Sequence, residues 1–330
     1  MTATPHVHWD GRAYPIDDGE TVLAALCRHG ADVAYSCQAG ACHACLLRAV
    51  AGDPGLPARQ PLRDTLQAQG YFLACQSRPT GDLTVTGPDG GDTSVPAVLV
   101  SARPIGPRVL RVRLRTAEPL DYRAGQYVTL LRGDGPDQVA RSYSLAGQPG
   151  GRELVLHVAV RPGGRMSGWL ARAAPGAPLD VRGPAGHCFY LPGSPDQPLL
   201  LAGTGTGIAP LAAITRDALR HGHTGPVTLL HGAGSAAGLY LDAELSALAA
   251  AHPALRYRTA VRDRGEDLLD LALAAVDATG GAAGSRIYLC GGEEVVRRLR
   301  RALFLAGARL ADIHADAFLP SRTLAAAAER

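Results

Sequence analysis

Hydrophobic and polar positions change their period three times along the chain. Near the start, strand-like runs at 7–9 and 13–14 flank a turn at Asp10-Gly11-Arg12, the pattern of a short hairpin. Residues 21–27 follow an acidic start, Asp17 to Glu20, and carry apolar positions at helical spacing. Residues 46–50 read as a strand, and Leu83-Thr84-Val85-Thr86 alternates like an edge strand. A polar, turn-rich run, Gly87-Pro88-Asp89-Gly90-Gly91-Asp92, then marks a linker. Beyond it, alternating segments at 97–100, 109–114, 126–131 and 154–160 predict an antiparallel β-barrel. From about Pro198 continuous apolar runs (199–202, 227–230, 287–290) alternate with helical patterns (211–220, 243–251), which predicts a parallel α/β sheet. Three domains are expected, at 1–90, 96–195 and 196–330.

Composition agrees and removes several function classes. A chain of 330 residues has room for two or three domains, and 46% hydrophobic against 19% charged residues is ample for packed cores. All 33 basic residues are Arg, so lysine chemistry (a Schiff base, a P-loop Lys, a lysine base) is absent. Residues 1–90 hold six Arg against nine acids (−3), and 91–330 hold 27 Arg against 21 acids (+6). That split argues against nucleic acid, which wants a concentrated basic face, and fits electrostatic docking between modules or with an outside partner. No uninterrupted apolar run approaches the roughly 18 residues of a membrane span. Residues 1–10 lack the basic and apolar regions of a signal peptide, so the cytoplasm is the expected compartment. Disulfides are not expected there, and the seven Cys need another account.

Four of them supply it. Cys37, Cys42 and Cys45 read C-x4-C-x2-C, and Cys75 follows after 29 residues, the plant-type spacing for a [2Fe–2S] cluster. Two irons need four thiolates from different directions. A tight loop with Gly40 and Ala41 brings three and turns backbone N–H groups toward the sulfurs, and a distant segment brings the fourth. Structural zinc prefers two short knuckles, and only one is present. Cys27 and Cys188 read as packing. The first 90 residues thus resemble a plant-type ferredoxin domain, a β-grasp fold. Such loops usually carry Gly or Ser where His43 stands, and His43 is expected to be exposed.

Two stretches of the expected barrel carry chemistry. Arg141-Ser142-Tyr143-Ser144 can set a guanidinium on a pyrophosphate, a ring on a flavin and a hydroxyl near its reactive nitrogen. Gly163-Gly164-Arg165-Met166-Ser167, 19 residues on, offers backbone N–H groups to the same pyrophosphate. The α/β module opens with Gly203-Thr204-Gly205-Thr206-Gly207, where a dinucleotide backbone can approach closely. Later Cys290-Gly291-Gly292 ends a strand, where open α/β sheets bind ligands.

In this order the stretches resemble the ferredoxin–NAD(P)+ reductase superfamily over residues 97–320. With the front module the chain resembles the NADH-dependent reductase components of multicomponent ring-hydroxylating oxygenases, nearest the naphthalene-dioxygenase type, including the ending Ile313-His314-Ala315-Asp316-Ala317-Phe318. The resemblance implies FAD held by Arg141, Ser142, Tyr143 and Ser144, with its pyrophosphate on Gly164, Met166 and Ser167. It implies His157 and Val158 along the flavin's ribityl or adenine side. Gly203, Thr204, Gly205, Thr206, Gly232, Cys290 and Gly291 are implied for the nicotinamide nucleotide. Ser144, Cys290, Asp316 and Phe318 are implied around the reacting rings. Relatives often carry Gly-x-Arg where Gly232-Ala233-Gly234 stands, which favours NADH over NADPH, with Arg262 or Arg264 as substitute cations. Relatives carry Cys-Gly-x-Pro where Cys290-Gly291-Gly292-Glu293 stands. The implied activity moves a hydride from NAD(P)H to FAD and single electrons through [2Fe–2S] to a terminal oxygenase or an intermediate ferredoxin. The alternative is the reductase partner of a sugar-deoxygenating (CDP-6-deoxy-hexulose) dehydrase, which shares the domain order. A non-enzymatic electron carrier and a zinc-bearing binding module are the rivals from other classes.

Overall fold

The computed structural model describes residues 4–88, 94–133 and 138–318. The chain divides into two compact units, 1–93 and 94–330. Most of the expected linker, 89–92, and the alanine-rich tail from 319 lie outside the described residues.

The first unit is built from β1 (His6–Trp9), β2 (Arg12–Pro15), α1 (Val22–Arg28), β3 (Leu46–Ala51), α2 (Leu56–Arg59), α3 (Asp64–Gln67), β4 (Tyr71–Leu73) and β5 (Leu83–Thr86). Thr21 caps α1, its hydroxyl accepting the Ala24 N–H at 3.2 Å. Arg28, in the last turn, reaches back to Glu20 at 2.7 Å and helps close the acidic approach. The sheet order is β2-β1-β5-β3-β4, with β1 and β5 parallel and the other pairs antiparallel. The β5 segment is therefore a central strand, not the expected edge. Its alternation reports one face buried on the core (Leu83, Val85) and the other facing solvent, a pattern that edge and central strands share. Val7, Val22, Leu26, Leu47, Phe72 and Leu83 form the core of this unit.

The second unit begins with six antiparallel strands: β6 (Ser94–Gly106), β7 (Val109–Thr116), β8 (Tyr127–Arg132), β9 (Val139–Ser144), β10 (Glu153–Ala159) and, after α4 (Arg165–Leu170), β11 (Pro178–Ala185). Their order is β10-β7-β6-β11-β8-β9, and a Leu145–Leu156 bridge joins the two ends into a barrel. Register shifts at Leu99/Ser101 and Pro104/Gly106 bend the long β6 around it.

The rest of this unit is a parallel sheet with helices on both faces: β12 (Leu199–Thr204), α5 (Ile208–Arg220), β13 (Val227–Ala233), α6 (Asp242–Ala251), β14 (Leu255–Val261), α7 (Leu268–Asp277), β15 (Arg286–Gly292), α8 (Glu293–Leu305) and β16 (Ile313–Phe318). Alternate residues of the strands feed two cores. Leu199, Leu201 and Tyr288 pack with α5 and α6, whereas Leu200, Ala202 and Leu289 pack with α7 and α8. The order β14-β13-β12-β15-β16 makes the chain grow outward from β12 first to one side, then to the other. The switch of direction falls between β12 and β15, where such sheets open a crevice at the carboxyl ends of their strands.

Candidate redox site

The four expected ligands lie in one unit. Cys37 and Cys42 are exposed in the loop before β3, and Cys45 and Cys75 are buried beneath it. The loop turns backbone amides onto sulfur. The Cys37 Sγ accepts from the N–H groups of Ala39 at 3.4 Å and Cys42 at 3.3 Å. The Cys42 Sγ accepts from Cys37 at 3.4 Å and Ala44 at 3.5 Å. These bonds, chiefly from Ala39, hold the Cys37 thiol down to about 6. A cluster needs thiolates, so this donor set fits the iron–sulfur group. Burial pushes the Cys45 thiol the other way. Three residues of the loop, Gln38 (φ 52°), Gly40 (φ 78°) and His43 (φ 58°), take the left-handed conformation. His43 is exposed, as expected, and its positive φ is the physical reason glycine suits that place.

On the barrel, β9 carries Arg141 to Ser144 along one edge. Arg141 is exposed, and its guanidinium donates to the carbonyl of Ala140 on its own strand. Tyr143 is half-buried, and desolvation raises its hydroxyl to about 12 against the pull of Arg141 and Arg161. Two guanidinium groups therefore act on one tyrosine, and Arg161 was not singled out in the sequence because it stands one residue outside the Pro162-Gly163-Gly164 turn. Ser142 Oγ is 3.0 Å from Thr129 Oγ1. Gly164 precedes α4 with no side-chain cap, and a Cβ there would meet Ser167 Oγ at 2.3 Å. Ser167 is itself buried, accepting the Arg161 N–H at 3.3 Å, and Met166 is buried in the barrel core. What these residues offer a pyrophosphate is the backbone around Gly164 together with the exposed guanidinium groups of Arg141 and Arg161. Val158 is likewise core, and His157 is engaged by the hydroxyl of Tyr240 at 3.2 Å and the Arg111 Nε at 3.4 Å. The strand they share is paired with β7 along its whole length, and neither side chain is turned out for a ligand.

The nicotinamide side is built on close backbone contact. A Cβ at Gly207 would meet the Cys290 carbonyl oxygen at 2.3 Å, and one at Gly203 would meet it at 2.8 Å. One at Gly291 would meet Thr204 Oγ1 at 2.6 Å, and one at Gly232 would meet Thr204 Cγ2 at 2.9 Å. Most of the glycines therefore let the β12 loop and the end of β15 touch each other. Gly205 (φ +56°) alone of the loop glycines has open space in front of it, and Thr206 is half-buried beside it. Cys290 stands at the switch point, pairs with Asp316 across β15 and β16, and is buried. Asp316, raised above the usual carboxylate range by burial, accepts the Ser144 hydroxyl at 3.4 Å. Barrel and α/β sheet thus meet at Ser144, Asp316 and Cys290. Phe318, half-buried opposite Gly292, ends β16. Cys188, expected as packing, is buried in the apolar core, and its Sγ is 3.9 Å from that of Cys290. They are 102 residues apart, and no local spacing signals the pair.

The described residues include no helix long and apolar enough to cross a membrane. Residues 7–80 match the 2Fe-2S iron-sulfur cluster binding domain, 97–190 the oxidoreductase FAD-binding domain and 201–301 the oxidoreductase NAD-binding domain. The chain is 31% identical to the ferredoxin–NAD(P)+ reductase component of the naphthalene 1,2-dioxygenase system of Pseudomonas putida, covering 94% of this chain and 97% of that one. It is 34% identical to the reductase subunit of an aromatic O-demethylase from an Amycolatopsis species, again over 94% and 97% of the two chains. The crystal structure of an Amycolatopsis cytochrome P450 reductase superposes with a TM-score of 0.64 at 32% identity, covering 96% of this chain and 99% of that one.

Proposed function

The chain belongs to the reductase components of oxygenase systems, iron–sulfur flavoproteins that carry electrons from NAD(P)H by way of FAD and [2Fe–2S], and on that premise we propose how its residues divide the work. FAD and [2Fe–2S], when bound, would supply hydride acceptance and the release of single electrons. Cys37, Cys42, Cys45 and Cys75 hold the irons. Arg141 and Arg161 take the FAD pyrophosphate with the backbone around Gly164, and Tyr143 and Ser144 face the ring. Ser144 keeps an exchangeable proton on its Oγ, shared with Asp316, while Cys290 and Phe318 border the nicotinamide. The Gly203–Thr206 turn receives the dinucleotide backbone. The observation that carries this reading is the meeting of Ser144, Asp316 and Cys290 at the switch point of the parallel sheet.

The three domains run over 1–90, 96–195 and 196–330. The acceptor is a terminal oxygenase or an intermediate ferredoxin, and the compartment is the cytoplasm, where the three cysteines outside the cluster, Cys27, Cys188 and Cys290, persist as thiols. NADH is the proposed donor, with NADPH accepted through Arg262. That guanidinium lies 3.3 Å from where a Cβ would stand on Gly234, in the loop after β13.

The order of transfer is tested by Cys42→Ser. Reduction of cytochrome c with NADH should fall by more than about a hundredfold, because the cluster needs all four thiolates. NADH reduction of a two-electron dye should persist. Equal loss of both would overturn the order.

A further inference from the structure

Cys188 lies in the segment that leaves the barrel after β11 and enters the parallel sheet at β12. Its place is set from the barrel. Gly125, just before β8, lies so close that a Cβ there would meet the Cys188 carbonyl oxygen at 2.3 Å. Its sulfur points into the apolar cluster of Leu201, Ile208, Leu211 and Ile214, and ends 3.9 Å from the Cys290 sulfur. Both cysteines are buried, and neither is in a disulfide. The backbone of Cys290 is clamped by Gly203 and Gly207, so the freedom left to this residue is the direction of its thiol. Cys188 stands against that thiol. Ser144, on the barrel, reaches the same place from the other side through Asp316.

We propose that Cys188 is a positioning residue: its sulfur, fixed by the barrel, holds the Cys290 thiol in the direction that hydride transfer to the flavin requires. This rests on the reading of Cys290 given above. A thiol pair at this separation is a weak hydrogen bond, and its worth here is geometric rather than energetic. Displacement of a positioned group by an ångström can slow chemistry strongly while leaving binding intact.

The test is a double-mutant cycle on the protein carrying FAD and cluster, read as the anaerobic rate of flavin reduction by NADH and its deuterium isotope effect. Cys188→Ala should slow reduction about fivefold to tenfold, with the apparent NADH dissociation constant changed less than about twofold and the isotope effect undiminished. In a Cys290→Ala background the same change should add nothing, because its target is gone. Cys188→Ser, which nearly keeps the volume, should restore at least about half the rate, and it carries the cycle if the alanine variant loses its cofactors. Full additivity of the two losses, or a wild-type rate in Cys188→Ala, overturns the inference and leaves the reading of Cys290 standing. A wild-type rate in Cys290→Ala itself overturns both.

Discussion

His43 stands at φ 58° in the cluster loop with its side chain in solvent. A residue with a Cβ gives up roughly 1–2 kcal/mol in that conformation, part of which glycine returns as extra freedom in the unfolded chain. Replacement by Gly should therefore stabilise the first unit by up to about 1 kcal/mol. The check is the denaturant midpoint for loss of cluster absorbance, and an unchanged or lower midpoint would mean that the imidazole has a partner the loop needs. Arg262 offers a second single-residue test. The loop after β13 carries Gly232-Ala233-Gly234 where relatives often have Gly-x-Arg, and the Arg262 guanidinium, one residue past β14, lies beside Gly234. Removing it by Arg262→Ala should lower kcat/KM for NADPH by about tenfold, the worth of a charge-assisted contact to a 2′-phosphate, and leave NADH within about threefold. Parallel losses for both coenzymes would place the arginine elsewhere in the reaction.

The turn between β12 and α5 shows what a glycine pattern can and cannot reveal. The sequence marks 203–207 as a loop for phosphate, and the strand–turn–helix context is there. Yet Gly203 and Gly207 face the carbonyl of Cys290, and only Gly205 faces open space. Gly207→Ala should be severely destabilising, by about 3 kcal/mol or more, since backbone must shift to admit the methyl. Gly205→Ala meets only the strain of φ +56° and should cost about 1 kcal/mol. Thermal melts of the two variants rank them, and the reverse order would show that the loop can relax around 207. Strand legibility follows the same logic. Apolar runs such as 199–202 were plain because both faces are buried. No such run marks β11 (PLDVRGPA) or β14 (LRYRTAV), where Pro, Gly, Asp and Arg interrupt the pattern. Their place is secured by neighbours on both sides for β11 and by pairing with β13 for β14, contacts that no local window contains. The cysteine ligands were legible because the cluster dictates their spacing, whereas Cys188 beside Cys290 is a product of tertiary packing.

Within residues 94–318 the barrel and the α/β sheet are joined by a band of aromatic, histidine and charged groups. Tyr240 lies against Gly106 at the end of β6, where a Cβ would meet it at 2.5 Å, and its hydroxyl is 3.2 Å from His157 Nδ1. Arg111 of β7 bonds Glu244 of α6, and Arg216 of α5 approaches the same carboxylate at 3.6 Å. Behind Tyr240, His231 packs its ring edge-on and meets the Tyr257 hydroxyl at 3.0 Å, with Asp242 nearby. Burial lowers both imidazoles to about 4, and for His157 the cations Arg111 and Arg216 outweigh Glu244 in the same direction. The unfolded chain takes up these two protons near pH 6.5, and the folded chain resists them until about pH 4. Their contribution to stability is therefore full above pH 6.5 and is lost as pH falls towards 4, on the order of 2 kcal/mol for each group. The second unit should melt earlier at pH 5 than at pH 7, followed through FAD release. His157→Gln, which cannot titrate, should make that fall shallower even though it lowers the melting temperature at pH 7. An equal slope in the variant would show that the carboxylates, not this histidine, set the acid limit of the join on which the approach of Ser144 to Asp316 depends.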